Sequence, residues 1–300
     1  MRYALLGLGN IGAKRREILG QRCVATVDPY NTAADFRDFH QLSPDCYDAA
    51  ILAVPNGVKI DLVRLLLGSG KHVLIEKPFL LPDWDTAQEL YRLAKANKVV
   101  WYTSYNHRFE PMIETLKSEL DRGAIGRVYH GRLFYGNGTV ANIIGSWREE
   151  GMGVLEDLGS HLMDLLGYLF GYVGSEIEAW ILENHESKCL DHCLLATADH
   201  RFVIEASYLS WKNHFEIAIY GEAGSLHLRG LCKWGPSEII VHERVRPSGV
   251  PHARRQIHSG QDTTWQRDLT YFEHAAAAGE ISLENDWWIS SIMQKMAASA

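Results

Sequence analysis

YALLGLGNIG (residues 3–12) decides how the first third of this chain is read. Tyr3 to Leu6 is short and apolar, as a buried strand requires, and Gly7, Gly9 and Gly12 follow in a GxGxxG spacing. A helix is expected over residues 11–19, stopped by Gly20. Each glycine has a physical task. The first permits a tight turn, the second lets the backbone approach a pyrophosphate, and the third lets the helix pack close to the strand. The helix N-terminus then offers free N–H groups and the positive end of its dipole to the phosphates. CVATVD (residues 23–28) reads as the next strand and ends on Asp28. A carboxylate about twenty residues past the glycines accepts from two ribose hydroxyls and repels a 2′-phosphate. The stretch therefore points to a bound dinucleotide, NAD rather than NADP, with Lys14, Arg15 and Arg16 near enough to keep a 2′-phosphate open.

The alternation continues. YDAAILAVP (47–55) reads as a buried strand and residues 58–67 as an amphipathic helix closed by Gly68 and Gly70. HVLIEKP (72–78) holds a strand ending at Ile75. Asp83 caps a helix running to Asn97, and VVWYTSY (99–105) is the following strand. Strands alternating with helices make a doubly wound parallel sheet. The leg from Asp28 to Tyr47 is short for a helix plus a strand, so the sheet is expected to be trimmed there. After Asn106 the pattern changes. One helix is expected over 110–120, and then come strand signals: RVYHGRLFYG, EIEAWILEN, CLLATAD, FVIEASYLSW, HFEIAIYG and SLHLRG. Several alternate apolar and polar positions, as a sheet with two different faces does. Helices are expected over 265–278 and 287–298. The expected fold class is α/β plus α+β. A Rossmann domain for the dinucleotide occupies residues 1–106, and a largely antiparallel domain for substrate and oligomerisation occupies residues 107–300.

Composition sets the outer limits. The 300 residues are 46% hydrophobic and 22% charged, ordinary for a soluble globular protein, and the length suits two domains or one large one. A net charge of −7 argues against nucleic acid as the partner, because phosphate backbones need a basic face. No apolar run reaches the roughly 18 residues of a membrane helix. The start MRYALLGLGN reads as a strand and turn rather than a signal peptide, so a cytoplasmic protein is expected. Five cysteines in this length are no disulfide framework. His185, Cys189, His192 and Cys193 match no common zinc spacing, and no metal is expected.

Ligands of open parallel sheets bind outside the carboxyl ends of the strands. Two polar clusters fall there: Glu76-Lys77-Pro78 and Asn106-His107-Arg108. A lysine at such an edge can hydrogen-bond and polarise a substrate oxygen beside a nicotinamide. Expected cofactor contacts are Gly7, Gly9, Asn10, Ile11, Gly12, Asp28, Pro55, Asn56, Glu76, Lys77 and Asn106. A third polar set lies in GMGVLEDLGSHLMDLL (151–166). On a helix, Asp157, His161 and Asp164 share one face. That face suits a metal site, a proton-transfer site or a satisfied buried pair.

EKP after one strand, YNHRFEP after the next, and SWREEGMGVLEDLGSHLMDLL together resemble the Gfo/Idh/MocA oxidoreductases, such as glucose-fructose oxidoreductase and inositol dehydrogenase. The resemblance covers nearly the whole chain, and EKP combined with GxxxxDxGxHxxD is its most specific part. It implies an open, mostly antiparallel sheet in the second domain and a substrate site against the nicotinamide. The implied reaction is hydride transfer between the nicotinamide and a secondary alcohol or ketone of a sugar, sugar nucleotide or cyclitol. It implies that Lys77 contacts the reacting oxygen, that His161 is the general acid–base, and that Asp157 binds substrate hydroxyls or tunes its neighbours. Pro78 is often preceded by a cis bond in this family. Lys59 stands where many members have histidine after the PN turn.

Further substrate-pocket candidates are Arg108, Trp147 and Arg148, with Tyr105 and His107 beside them. The irregular stretch HERVRPSGVPHARRQ (242–256) carries Arg244, Arg246, Arg254 and Arg255, a set that suits a phosphate or simply a solvated loop. SWKNHFEIAIYGEAGSLHLRGL (210–231), followed by an irregular stretch, resembles members found in bacterial surface-polysaccharide and nucleotide-sugar pathways. Two other readings stand against the dehydrogenase: a non-catalytic NAD-binding regulatory protein on the same fold, and a metal enzyme using Asp157, His161 and Asp164. A homodimer or homotetramer is expected, because an open sheet with an apolar face needs a cover.

Overall fold

The structure, a computed structural model, describes residues 1–138, 140–149 and 151–299, without the side chains of Asn142 and Trp147. The chain forms two compact units. The first comprises Met1–Asn106 and Trp265–Ser290. Its strands are β1 (Tyr3–Leu6), β2 (Cys23–Val27), β3 (Ala49–Leu52), β4 (His72–Glu76) and β5 (Trp101–Ser104). They pair in the order β2-β1-β3-β4-β5, all parallel. The three helices that follow β1, β3 and β4 are α1 (Asn10–Leu19), α2 (Asn56–Gly68) and α3 (Trp84–Asn97).

Strand periodicity of two assigns the side chains to the two faces. Ala4, Leu6, Ala50, Leu52, Val73 and Ile75 join a core with Val63 and Leu66 of α2 and Leu90 of α3. Their neighbours Tyr3, Leu5, Ala49, Ile51 and Leu74 join a second core with Leu19 of α1 and with Leu269 and Phe272. Both faces are thus covered, and the central strands β1 and β3 are buried along their whole length. Between β2 and β3 only two short 3-10 turns remain, Phe39–Gln41 and Pro44–Cys46, with one parallel bridge from Val27 to Phe36.

Sequence alone places residues 107–300 together, but Trp265–Ser290 belongs to the first unit. This segment carries most of α6 (Thr264–Ala278) and the start of α7 (Leu283–Ala297). Two fully buried carboxylates explain the assignment. Asp286 accepts from Trp101 Nε1 at 2.9 Å and Thr103 Oγ1 at 2.8 Å. Asp268 accepts from Tyr102 Oη at 2.9 Å and Ser104 Oγ at 2.8 Å. A buried carboxylate is tolerated only with such donors, so both acids fix the segment to β5.

The second unit comprises His107–Thr264 and Ser291–Ala300. Its strands are β6 (Val128–Gly136), β7 (Ile177–Glu183), β8 (His192–Thr197), β9 (Phe202–Ser207), β10 (His214–Gly221), β11 (Gly224–Arg229), β12 (Ser237–Val245) and β13 (Gly249–His258). They form one sheet in the order β13-β12-β11-β10-β6-β9-β8-β7. Every pair is antiparallel except β6 with β9. Gly131, Leu133 and Tyr135 point inward from β6, as do Phe215, Ile217 and Ile219 from β10. Helix α4 (Pro111–Asp121) lies on β11, β12 and β13, and α5 (Ser160–Phe170) on β6 and β9.

Two expectations change here. Residues 242–256 are no irregular loop; they belong to the β12–β13 hairpin at the sheet edge. Its arginines meet acids and a carbonyl: Arg255 bonds Glu238 at 2.6 Å, Arg254 reaches Glu119 and Glu243, and Arg244 donates to the Glu222 carbonyl. Arg246 lies 3.8 Å from the Glu222 carboxylate. The GMGVLEDLGSHLMDLL stretch is also not one regular helix. Leu155–Gly159 makes a π-helical turn before α5 begins. Among the described residues no helix is long and apolar enough to cross a membrane.

Candidate active site

The Gly-rich turn is built from backbone. Gly7 has φ +91°, and a Cβ there would lie 2.2 Å from the Ala53 carbonyl oxygen. A Cβ on Gly12 would lie 1.9 Å from the Gly7 carbonyl oxygen, so only glycine lets α1 pack this close to β1. A Cβ on Gly9 would meet nothing within 4 Å. Gly9 is also the N-cap of α1, and no side chain closes that helix end. The turn thus keeps open space beside free N–H groups, which is what a pyrophosphate needs. Asp28 accepts from Leu8 N at 2.7 Å and from Tyr30 N and Asn31 N at 2.8 Å. Burial opposes its charge, but these three donors outweigh it and hold Asp28 below the usual carboxylate range.

Arg15 does not turn toward a 2′-phosphate. It is fully buried, within 2.7 Å of both Glu76 and Asp268, and donates to Ser104 Oγ at 2.7 Å. Burial by itself would discharge it, yet the two acids more than offset that and raise its pKa. Glu76 therefore spends its carboxylate on Arg15, joining α1 to the carboxyl end of β4. Lys77 is half-buried at the same edge, and the Lys77–Pro78 bond is cis. Lys59 has a distinct task here. Its buried ammonium donates to the Glu76 carbonyl at 2.5 Å and the Pro78 carbonyl at 2.7 Å, bracketing Lys77. Pro55 and Asn56 stand at the N-terminus of α2, and Asn10 and Ile11 at that of α1. Asn106 is buried at the end of β5.

In the second unit the three residues of the 151–166 stretch are all buried but do not act as one set. Asp157 accepts from Tyr208 Oη at 3.1 Å and lies 3.2 Å from Arg148 Nε. His161 stacks on His107 with ring centroids 3.9 Å apart. Asp164 takes both arms of Arg108, Nε at 2.8 Å and Nη2 closer still. Such a fork fixes geometry, so Arg108 anchors α5 to the turn that carries His107. The metal reading of these three residues loses its basis, since each has a different partner. Among the described residues no group of three or more His, Cys, Asp or Glu is placed to hold a metal. The carboxylate of Asp191, for instance, caps the His185–Ser187 loop by accepting from backbone N–H groups. The side chain of Trp147 lies outside the described residues.

Three further residues complete this set. Tyr135 is the last inward tyrosine of β6, and Tyr208 follows β9. Lys233 sits on the Cys232–Trp234 turn; its ammonium lies 2.8 Å from Tyr135 Oη and 3.3 Å from His107 Nε2. Burial and the neighbouring Asp157 both raise the Tyr208 pKa, so Tyr208 remains a donor to that carboxylate. Strand alternation in RVYHGRLFYG and FVIEASY marks both tyrosines as inward-facing, but no pattern in the sequence marks Lys233.

The sheet of the first unit and its Gly-rich turn define a dinucleotide-binding oxidoreductase fold of the Rossmann type. Residues 1–105 match the oxidoreductase family, NAD-binding Rossmann fold, and residues 113–227 match the GFO/IDH/MocA C-terminal domain. The chain belongs to the Gfo/Idh/MocA family. It is 33% identical over 151 residues to a scyllo-inositol 2-dehydrogenase (NADP(+)) of Bacillus subtilis, covering 47% of this chain and 45% of that one. It is 28% identical over 162 residues to the levoglucosan dehydrogenase of Pseudarthrobacter phenanthrenivorans, covering 51% and 41%. The first curated relatives it matches are spanned for 34% to 56% of their own length. A levoglucosan dehydrogenase solved with NADH and levoglucosan shares the fold, with TM-score 0.81 at 19% identity over 100% of this chain and 96% of that chain.

Proposed function

We propose that this chain is an NAD-dependent dehydrogenase or reductase acting on a secondary alcohol or ketone of a sugar or cyclitol. The carrying observation is the buried set of the second unit, where His161 stacks on His107, Asp157 lies beside Tyr208 and Arg148, and Asp164 is held by Arg108. The fit of the first unit to a dinucleotide rests on the open space at Gly9, the uncapped α1 end and the charged Asp28. A bound nicotinamide supplies the hydride acceptor or donor. Gly7, Gly9, Asn10, Ile11 and Gly12 would hold the pyrophosphate, Asp28 the adenosine ribose, and Pro55, Asn56, Glu76 and Asn106 the edge beneath.

The chain's own residues then handle the proton. On oxidation the hydroxyl proton passes to the imidazole of His161, a group type that both takes up and returns protons in the physiological range. Lys77 donates a hydrogen bond to the same oxygen and steadies its developing negative charge. Asp157, oriented by Tyr208 and Arg148, accepts from a substrate hydroxyl. NAD is favoured over NADP because Asp28 stays ionised and Arg15 faces inward. The relative from Bacillus subtilis carries NADP in its name, so both cofactors belong in the test. Arg246, Arg254 and Arg255 pair with acids and Arg244 with a carbonyl, which favours a free sugar or cyclitol over a nucleotide sugar.

Two further expectations belong to the same proposal. A second copy covers the outer face of the eight-stranded sheet, where His130, Tyr220, His227 and His242 make a row of ring contacts. The enzyme works in the cytoplasm, a reducing compartment that suits its five free cysteines. The experiment is a panel of sugars, cyclitols and nucleotide sugars with NAD and with NADP, followed by the absorbance of the reduced nicotinamide. Turnover of a free sugar or cyclitol is expected. Tight cofactor binding with no turnover of any member would favour a regulatory protein instead.

A further inference from the structure

Lys233 belongs to no motif, yet its ammonium reaches the ring that stacks on His161. An ammonium carries three donors and no acceptor. A charged Lys233 facing His107 Nε2 at 3.3 Å therefore makes that nitrogen the acceptor and puts the ring proton on Nδ1. The local build holds this arrangement. Glu110 caps α4 through Met112 N and Ile113 N, and its other oxygen accepts from Cys232 N at 3.3 Å and Ser237 Oγ at 2.6 Å. The same residue thus anchors the turn after His107 and the turn that bears Lys233. Tyr135 Oη, 2.8 Å from the ammonium, fixes its third dimension.

We propose that Lys233 is a positioning residue that holds His107 as the neutral, Nε2-accepting tautomer, leaving His161 as the member of the stacked pair that takes up a proton. The proposal rests on reading His161 as the proton-transfer group. Charges facing the pair come from several elements. Lys233 opposes a proton on His107 from 3.3 Å; around Lys233 itself, Asp157 and Asp262 favour its charge and Arg148, paired with Asp157, opposes it. Two stacked imidazolium rings 3.9 Å apart would repel each other, so a proton on His107 would hinder one on His161. Although Lys233 as a residue is exposed, desolvation around its ammonium pushes it down to about 8. Its bias is therefore full at neutral pH and fades as pH rises through that value.

The test is nitrogen-labelled imidazole NMR of the full chain, without substrate, in wild type, Lys233→Met and Lys233→Arg. In wild type and Lys233→Arg, His107 is expected as the neutral Nδ1–H form at neutral pH. In Lys233→Met the His107 titration should move upward by about one pH unit, and the acid limb of kcat/KM should follow it. If Lys233→Met folds poorly, Lys233→Gln removes the charge alone: its amide can still donate to Nε2, and the His107 titration should still move upward. An unchanged His107 tautomer and titration in the folded variant overturns the proposal. A moved titration in a protein that oxidises no sugar leaves the proposal standing and removes the functional reading on which its catalytic consequence depends.

Discussion

In the Gly-rich turn of the first unit the backbone makes the site, whereas in the second unit side chains from separate segments make it. Gly7, Gly9 and Gly12 lie within six consecutive residues, and Asp28 ends the next strand. His107, Tyr135, Asp157, His161, Tyr208 and Lys233 come from five segments that only folding brings together. At Gly7 and Gly12 the backbone site has no room for an added Cβ, because the packing of α1 against β1 sets it. A side-chain site tolerates a changed group but loses the chemistry that group supplied.

The largest effect should come from the charges that stiffen the backbone site. Arg15→Met leaves Glu76 and Asp268 buried together without their cation, which should cost about 3–5 kcal/mol of stability. Thermal or denaturant unfolding measures it, and adding Asp268→Asn should recover part of the loss. If Arg15→Met unfolds like the wild type, the network does not hold α1 to β4. Gly12→Ala comes next. Its Cβ needs space now held by the Gly7 carbonyl, so a loss of about 1–3 kcal/mol is expected, together with weaker dinucleotide binding by calorimetry. Unchanged affinity would show that the turn adapts and would blur the contrast between the two regions. The smallest effect should fall at the sheet edge. Arg255→Ala removes an exposed pair with Glu238 and should change stability by less than about 1 kcal/mol, with no change in substrate selectivity. A marked loss of binding for nucleotide sugars alone would return these arginines to the substrate pocket.

What could be read beforehand follows the same division. The parallel sheet and the turn were legible because their signals are local: apolar strands, glycine spacing and a caps-and-stops pattern. Arg15 could have been assigned correctly by the same local logic. Gly12, Arg15 and Leu19 recur at helical spacing and are the buried residues of α1, so Arg15 shares the face that packs on the sheet. The assignment of Trp265–Ser290 to the first unit depends on Asp268 and Asp286 finding donors on β5, a long-range match with no local trace. The β12–β13 hairpin was hidden by its composition. β13 is exposed along nearly its whole length, so it lacks the alternation that marks a half-buried strand. In the 151–166 stretch spacing placed three polar residues on one face, but only their partners distinguish them. Asp164 meets Arg108, Asp157 meets Tyr208 and Arg148, and His161 meets another imidazole.

In the proposed function the two regions divide the work: the first unit holds the cofactor and His161 handles the proton. The most direct measurement compares His161→Ala with wild type for dinucleotide affinity by calorimetry and for turnover of the best substrate found in the panel. The expected result is an affinity within about twofold and a turnover lower by about 10²–10⁴-fold. Near-wild-type turnover in the folded variant would contradict the account.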